Sequence, residues 1–443
     1  MRMSWMPALL AAAGCAGALD RTHDYDTMLA GLRRDEAARP DGGAALAAVT
    51  SAPALDRAAL VRAVLARNPG LEAMRAAWHA AAADVRSAGT LDDPMVTYEV
   101  APLSIASNVP FGERVQVSQK LPWPGKRAIA GDIAVADAEM AHEDLRGTTL
   151  ELAELTSNLF DDYALVEQEL AVNEHHRMTT EQMKKAVEAQ LAAGRGSTQD
   201  SLAADVELGR MAQERVMLET ERETIVARLD GLLHRAPDAP LPPAPPVTPV
   251  VAEPPPLAEL LARAAERPDA RAATERIAGA TARVEGAERA FYPDFEVMGS
   301  YDSMWDMPEH RWMIGAGIEV PLQRGKRDAA LDAARARASQ AAAQLDRLRD
   351  DVKVDVFRAR LDVVEANAIV TSYDQQLVPA ARAQVEAALQ GFVIGRNDFT
   401  AVLAAERGAR EIELGSYRAR SALSKRLAAL DKATGRLPGG GVP

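Results

Sequence analysis

Gln119-Lys120-Leu121-Pro122-Trp123-Pro124-Gly125-Lys126-Arg127 reappears, about 200 residues later, as Glu319-Val320-Pro321-Leu322-Gln323-Arg324-Gly325-Lys326-Arg327. Around each copy the sequence reads in one order. A short helical stretch leads into two strand-like runs joined by a loop, then comes the Pro…Gly-Lys-Arg corner. A very long helical stretch follows, then a Gly-Arg turn and a helix running back. A tandem repeat of this length means two copies of one structural unit, expected to pack about a pseudo-twofold axis.

The repeats occupy residues 56–235 and 257–435, joined by a linker at 236–256 that carries ten prolines and reads as extended chain. Residues 16–55 read as an irregular N-terminal arm, because Pro40-Asp41-Gly42-Gly43 and Ser51-Ala52-Pro53 interrupt them, and 436–443 as a disordered tail. Each repeat opens with a helix–Pro–helix joint, at Asn68-Pro69 and at Arg267-Pro268.

The period then changes to two. Met95–Val100 alternates apolar and polar residues, and Val115, Val117 and Leu121 share one face of the next run. In the second copy Phe295, Val297 and Tyr301 alternate with Glu296, Met298 and Ser300, and Ile314, Ala316, Ile318 and Val320 alternate with Gly315, Gly317 and Glu319. Such runs are strands with one apolar face. Four strands cannot close a barrel, and an open edge in lipid leaves costly unpaired peptide groups. Three copies would supply twelve strands and a barrel of useful width.

The helical pattern from Lys126 to Ala193 predicts a helix of roughly 100 Å at about 1.5 Å per residue. Leu152, Leu155, Leu159, Tyr163, Val166 and Leu170 fall at coiled-coil spacing, as do Leu345, Leu348, Val352, Val356, Ala359 and Val363 in the second copy. Gly194-Arg195-Gly196 and Gly395-Arg396-Asn397 offer the left-handed conformation that ends a helix. Each repeat therefore carries a long helical hairpin.

Composition narrows the function. Of 443 residues only 4% are aromatic, and the net charge of −13 argues against a nucleic-acid partner. No nucleophile–base pair, phosphate-cradling loop or metal-protease spacing is present, so neither an enzyme nor a cofactor is expected. The single cysteine, Cys15, ends the run Ala8-Leu9-Leu10-Ala11-Ala12-Ala13-Gly14-Cys15 after Arg2. Residues 1–15 resemble a bacterial lipoprotein signal with Cys15 as the acylated residue; a plain secretory signal or a misassigned start are the alternatives.

With the repeat, corners, hairpin turns and signal in view, residues 55–435 resemble an outer-membrane efflux protein of the TolC family. Pro122 with Gly125 and Pro321 with Gly325 look like its strand-to-helix corners, and Phe392-Val393-Ile394-Gly395, with Leu403 beyond, resembles its hairpin tip. The resemblance implies a mainly α fold with a small β part. It implies a homotrimer whose twelve strands form a barrel in outer-membrane lipid and whose helices form a periplasmic tunnel. It also implies a membrane-fusion adaptor and an inner-membrane pump, the RND class being favoured, as partners. Efflux of metal ions or drugs is the leading function, a duct for secreted proteins the runner-up, and a soluble periplasmic scaffold the reading from another class.

Three sets of residues carry candidate roles under that resemblance. Asp200 and Asp398 would ring the periplasmic entrance as a cation-attracting gate; alternatively they simply favour the starts of the returning helices. Gly194, Arg195, Gly395 and Arg396 would dock the adaptor, the arginines being otherwise solvated. Trp123, Tyr292, Tyr301, Trp305 and Trp312 would form interface belts, or else pack between subunits. Met304, Met307 and His310 are weak candidates for a soft-metal site, and an exposed loop tolerates such residues equally well.

Overall fold

The computed structural model describes residues 22–38, 40–101, 112–193, 197–247 and 253–438. Cys15, Gly194 and Arg195 lie outside the described residues. The chain is mainly helical with one four-stranded antiparallel sheet. It divides into two compact units, residues 1–37, 74–145 and 269–348, and residues 38–73, 146–268 and 349–443.

In the first unit, helix α1 (Thr22–Ala38) buries Met28 and Leu32, one turn apart. Helix α4 (Pro69–Ala88) leads to strands β1 (Met95–Ala101) and β2 (Gly112–Leu121), and helix α8 (Pro268–Arg289) leads to β3 (Asp294–Asp302) and β4 (Trp312–Glu319). The strands pair in sequence order as a meander, β1 to β2 to β3 to β4. Equivalent side chains tie the two repeats together in the same way. Arg127 Nε donates to Gly89 O and Arg327 Nε to Ala290 O, each at 2.8 Å.

The second unit holds helices α2 (Gly42–Thr50), α3 (Arg57–Arg67) and α7 (Leu257–Ala264), and most of α5 (Lys126–Ala192). It also holds α6 (Thr198–Leu232), the greater part of α9 (Arg324–Ser372), α10 (Val378–Val393) and α11 (Phe399–Ala433). Its core gathers Leu60 and Val64 of α3, Leu159, Phe160, Tyr163 and Val166 of α5, and Leu218, Ile225 and Leu229 of α6. The linker residues 237–247 form neither helix nor strand, and Pro243 O accepts from the Leu55 N–H at 2.9 Å.

Three expectations need correction. Residues 16–55 are not an irregular arm over their described part, since α1 and α2 occupy most of it. The Pro-Asp-Gly-Gly break is the start of α2: Asp41 accepts from Gly43 N and Ala44 N at 3.3 and 3.0 Å, capping two free amides. The coiled-coil seam of α5 holds at Leu159, Tyr163 and Val166, whereas Leu155 is exposed. The second long helix is interrupted. A π turn at Tyr373–Leu377 separates α9 from α10, with Val378 N–H donating to Tyr373 O five residues back. Pro379 follows at once; it lacks the N–H an α-helix would direct to residue 375, and the widened turn accommodates that loss.

Candidate functional site

Pairing register places every strand's side chains on one of two faces. Val96, Tyr98 and Val100 of β1 line up with Val115, Val117, Gln119 and Leu121 of β2. The same face continues through Phe295, Val297, Gly299 and Tyr301 of β3 to Trp312, Ile314, Ala316 and Ile318 of β4. This face is apolar except at Gln119 and at Glu113, the partner of Val100 at its loop end, and it is open: Ile314 is 84% and Val96 66% exposed. The opposite face carries Thr97 and Glu99, Arg114, Gln116 and Ser118, Glu296, Ser300 and Asp302, and Gly315 and Gly317. There Arg114 lies between Glu99 and Asp302 of its own row, at 3.7 and 3.9 Å. The period-two pattern foresaw the two faces; this cross-strand charge row was legible only once register was known.

Aromatic side chains mark both ends of the apolar face. At the corner end Trp123 stacks on Tyr292 and Phe295, with ring centroids 5.2 and 5.7 Å apart. At the loop end Tyr301 and Trp312 share a row, 5.1 Å apart, beside Tyr98 and Val115. Trp305 meets the edge of His310 instead. The soft-metal candidates make separate contacts. The Met304 side chain lies over Gly112, His310 faces Trp305, and Met307 is exposed. Among the described residues no group of three or more His, Cys, Asp or Glu is arranged to hold a metal ion.

The two corners are built differently. Gly125 has a φ of +93° and precedes α5, with Pro124 O accepting from Arg289 at 3.3 Å. Asp294 fastens this corner: its Oδ1 accepts from Trp123 N–H and from Lys126 Nζ, each at 2.8 Å. In the second copy the motif has one more residue between Pro321 and Gly325, and α9 begins at Arg324. Gly325 is therefore helical rather than a turn residue, and the expected equivalence of the two glycines is corrected. The common point is the arginine two residues after each.

At the second hairpin turn Gly395 has a φ of +70°, as a helix-ending glycine should, and Arg396 N–H donates to Gly391 O at 2.8 Å. Phe392, Phe399 and Leu403 pack with Val187 of α5 and Ala204 of α6, so one apolar cluster joins both hairpins near their turns. Val393 and Ile394 are exposed by 77% and 64%. Both belong to the Phe392-Val393-Ile394-Gly395 tip motif, in which the sequence reading assigns docking to Gly395 and not to this apolar pair. Asp398 caps α11, its Oδ1 accepting from Ala401 N–H at 2.9 Å. Asp200 sits in the first turn of α6, where Ser197 is the cap.

No helix among the described residues is long and apolar enough to cross a membrane, which says nothing of strands. Residues 261–436 match the family model for outer membrane efflux protein. No curated protein sequence matches the chain. The fold is shared with solved transmembrane-channel and outer-membrane proteins. CusC has a TM-score of 0.76 at 19% identity, covering 86% of this chain and 92% of that one. VceC from Vibrio cholerae has a TM-score of 0.72 at 19% identity, covering 86% and 96%. The open state of MtrE from Neisseria gonorrhoeae has a TM-score of 0.73 at 19% identity, covering 85% and 88%. The second repeat, residues 261–436, is thus similar to outer membrane efflux proteins, and the chain as a whole shares the fold of the solved channels.

Proposed function

We propose that this protein is the outer-membrane exit duct of a tripartite efflux system, working as a homotrimer. The observation that carries this reading is the sheet, which presents one continuous open apolar face and leaves β1 and β4 as edges. An apolar sheet face this large is an aggregation hazard in water and is suited to hydrocarbon. In a meander β1 and β4 run in opposite directions, so β4 of one copy can pair with β1 of the next. Three copies then close twelve antiparallel strands with no free edge. The polar face, with its Glu99–Arg114–Asp302 row, lines the water-filled lumen, and the aromatic ends sit at the two interfaces.

In this reading the hairpins form the periplasmic conduit. Their ends, with Gly194, Arg195, Val393, Ile394, Gly395 and Arg396, meet a membrane-fusion adaptor coupled to an inner-membrane pump. Asp200, and secondarily Asp398, ring the entrance. Cys15 carries the lipid anchor. The duct is passive, and selection of metal ions or drugs belongs to the pump. A secretion duct for proteins would share this architecture. A soluble scaffold is disfavoured because it has no use for the apolar sheet face.

Fractionation and planar-bilayer recording test the proposal. A heat-resistant trimer in the outer membrane that forms ion-conducting pores is the expected result. A monomer in the soluble fraction that forms no pores rejects it.

A further inference from the structure

Helix α11 is fastened to the first repeat by ion pairs in which α11 supplies the cation. Arg407 reaches Glu207, Arg410 reaches Glu214, and Arg418 reaches Glu169, at 2.6 to 2.7 Å. Lys425 pairs with Asp162, and Lys432 with Glu154. At one rung the polarity is reversed. His176 of α5 is buried, and its two ring nitrogens face two carboxylates of α11. Nε2 lies 3.2 Å from Glu413 Oε2, and Nδ1 lies 3.5 Å from Glu406 Oε2.

A neutral imidazole has a single N–H, so one of its nitrogens would turn a lone pair toward a carboxylate. Only the imidazolium offers a donor to both. The remaining titratable groups lining the adjoining cavity of about 390 Å³ are His175 from α5 and Arg382 and Glu386 from α10. Arg407 and Arg410, the nearby cations of α11, are engaged by Glu207 and Glu214.

We propose that His176 is a proton-binding latch: the bound proton holds α11 against α5, and parting the two helices expels it at neutral pH. Burial disfavours the imidazolium, but the hydrogen bonds and charges of Glu406 and Glu413 outweigh burial and push the pKa up to about 9. Glu413 is correspondingly held below the usual carboxylate range by its hydrogen bond to His176. A histidine freed into water titrates near 6.5. The latch therefore contributes fully below pH 6.5 and is lost as pH rises through about 9. Between pH 7 and 9 the preference for the latched arrangement falls by roughly tenfold or more per subunit. The inference rests on the packing of α5 against α11 and not on the duct reading.

The test is hydrogen–deuterium exchange at histidine C2–H, read by mass spectrometry on the full-length detergent-solubilised protein from pH 6 to 10. His176 should exchange slowly with a midpoint near 9. In parallel, amide exchange across residues 402–416, corrected for intrinsic rates, should rise between pH 7 and 9 in the parent protein and in His175→Gln. In His176→Gln that rise should vanish. A midpoint for His176 at or below 6.5, or a His176→Gln profile that matches the parent, overturns the proposal. Should His176→Gln not fold, Glu413→Gln must lower the His176 midpoint by about a unit or more, and an unchanged midpoint overturns it equally.

Discussion

The hydroxyl of Tyr373, in the π turn between α9 and α10, lies against the bare backbone of Gly415 in α11. A Cβ placed on Gly415 would sit 2.6 Å from the tyrosine oxygen and 2.9 Å from its Cζ. The next residue, Asp374, pairs with Arg420 of α11 at 2.7 Å. The widened turn thus directs two consecutive side chains at one helix. Two effects oppose each other in Gly415→Ala. Alanine favours a helix interior over glycine by about 1 kcal/mol, whereas overpacking a tight contact costs about 1–3 kcal/mol. A net loss is expected, seen as a lower thermal midpoint. Adding Tyr373→Ala to Gly415→Ala should recover part of it, because the two changes share one contact. Equal or greater stability in Gly415→Ala alone would contradict the packing described.

The unequal corners make a paired prediction. Gly125 holds a φ of +93°, where a side chain is strained, and the Arg289 guanidinium lies 3.4 Å from the Cβ position. Gly125→Ala should cost on the order of 1–3 kcal/mol. Gly325 is helical with open space around it, so Gly325→Ala should be neutral or stabilise by about 0.5–1 kcal/mol. Denaturation of the two purified variants decides the matter. Equal losses would mean that the corners are built alike after all.

Much of this fold was legible because two periodicities are written plainly. Val115, Val117 and Leu121 alternate, Leu159, Tyr163 and Val166 recur at helical spacing, and the strands and long helices follow from them. Misreadings came where one residue type serves two ends. Gly42-Gly43 after Pro40 reads as a break, yet Asp41 turns it into a capped helix start. Gly325 looks like Gly125, but with a one-residue insertion the helix already begins at Arg324, ahead of it. Charge contacts such as Arg114 with Asp302, or His176 with Glu413, join residues more than 180 positions apart. No local pattern announces these, because they depend on register and helix packing.

The two faces of the sheet should tolerate charge differently. Val117 sits mid-strand on the apolar face between Val96 and Gly299, and Gln116 beside it points to the polar face. An arginine facing lipid near mid-bilayer costs about 2–4 kcal/mol, and little where it faces a water-filled lumen. Val117→Arg is therefore expected to reduce the heat-resistant trimer on unheated gels severely, and Gln116→Arg to leave most of it. Similar yields from both would remove the assignment of Val117 to lipid.

Asp200 and Asp398 can be separated by asking charge and capping different questions. Asp398 accepts from Ala401 N–H, so Asp398→Ala should cost about 1 kcal/mol through the lost cap, whereas asparagine caps comparably well. Asp398→Asn thus removes the charge while retaining the cap, and Asp200→Asn removes a charge from a helix whose cap is Ser197. If a threefold set of Asp200 carboxylates narrows and polarises the periplasmic entrance, Asp200→Asn and Asp200→Ala should both raise single-channel conductance or lower cation preference in planar bilayers. Asp398→Asn should do so only if it shares in the ring. Unaltered conductance with unaltered selectivity in the Asp200 variants would reduce that residue to an acid favoured by the start of α6.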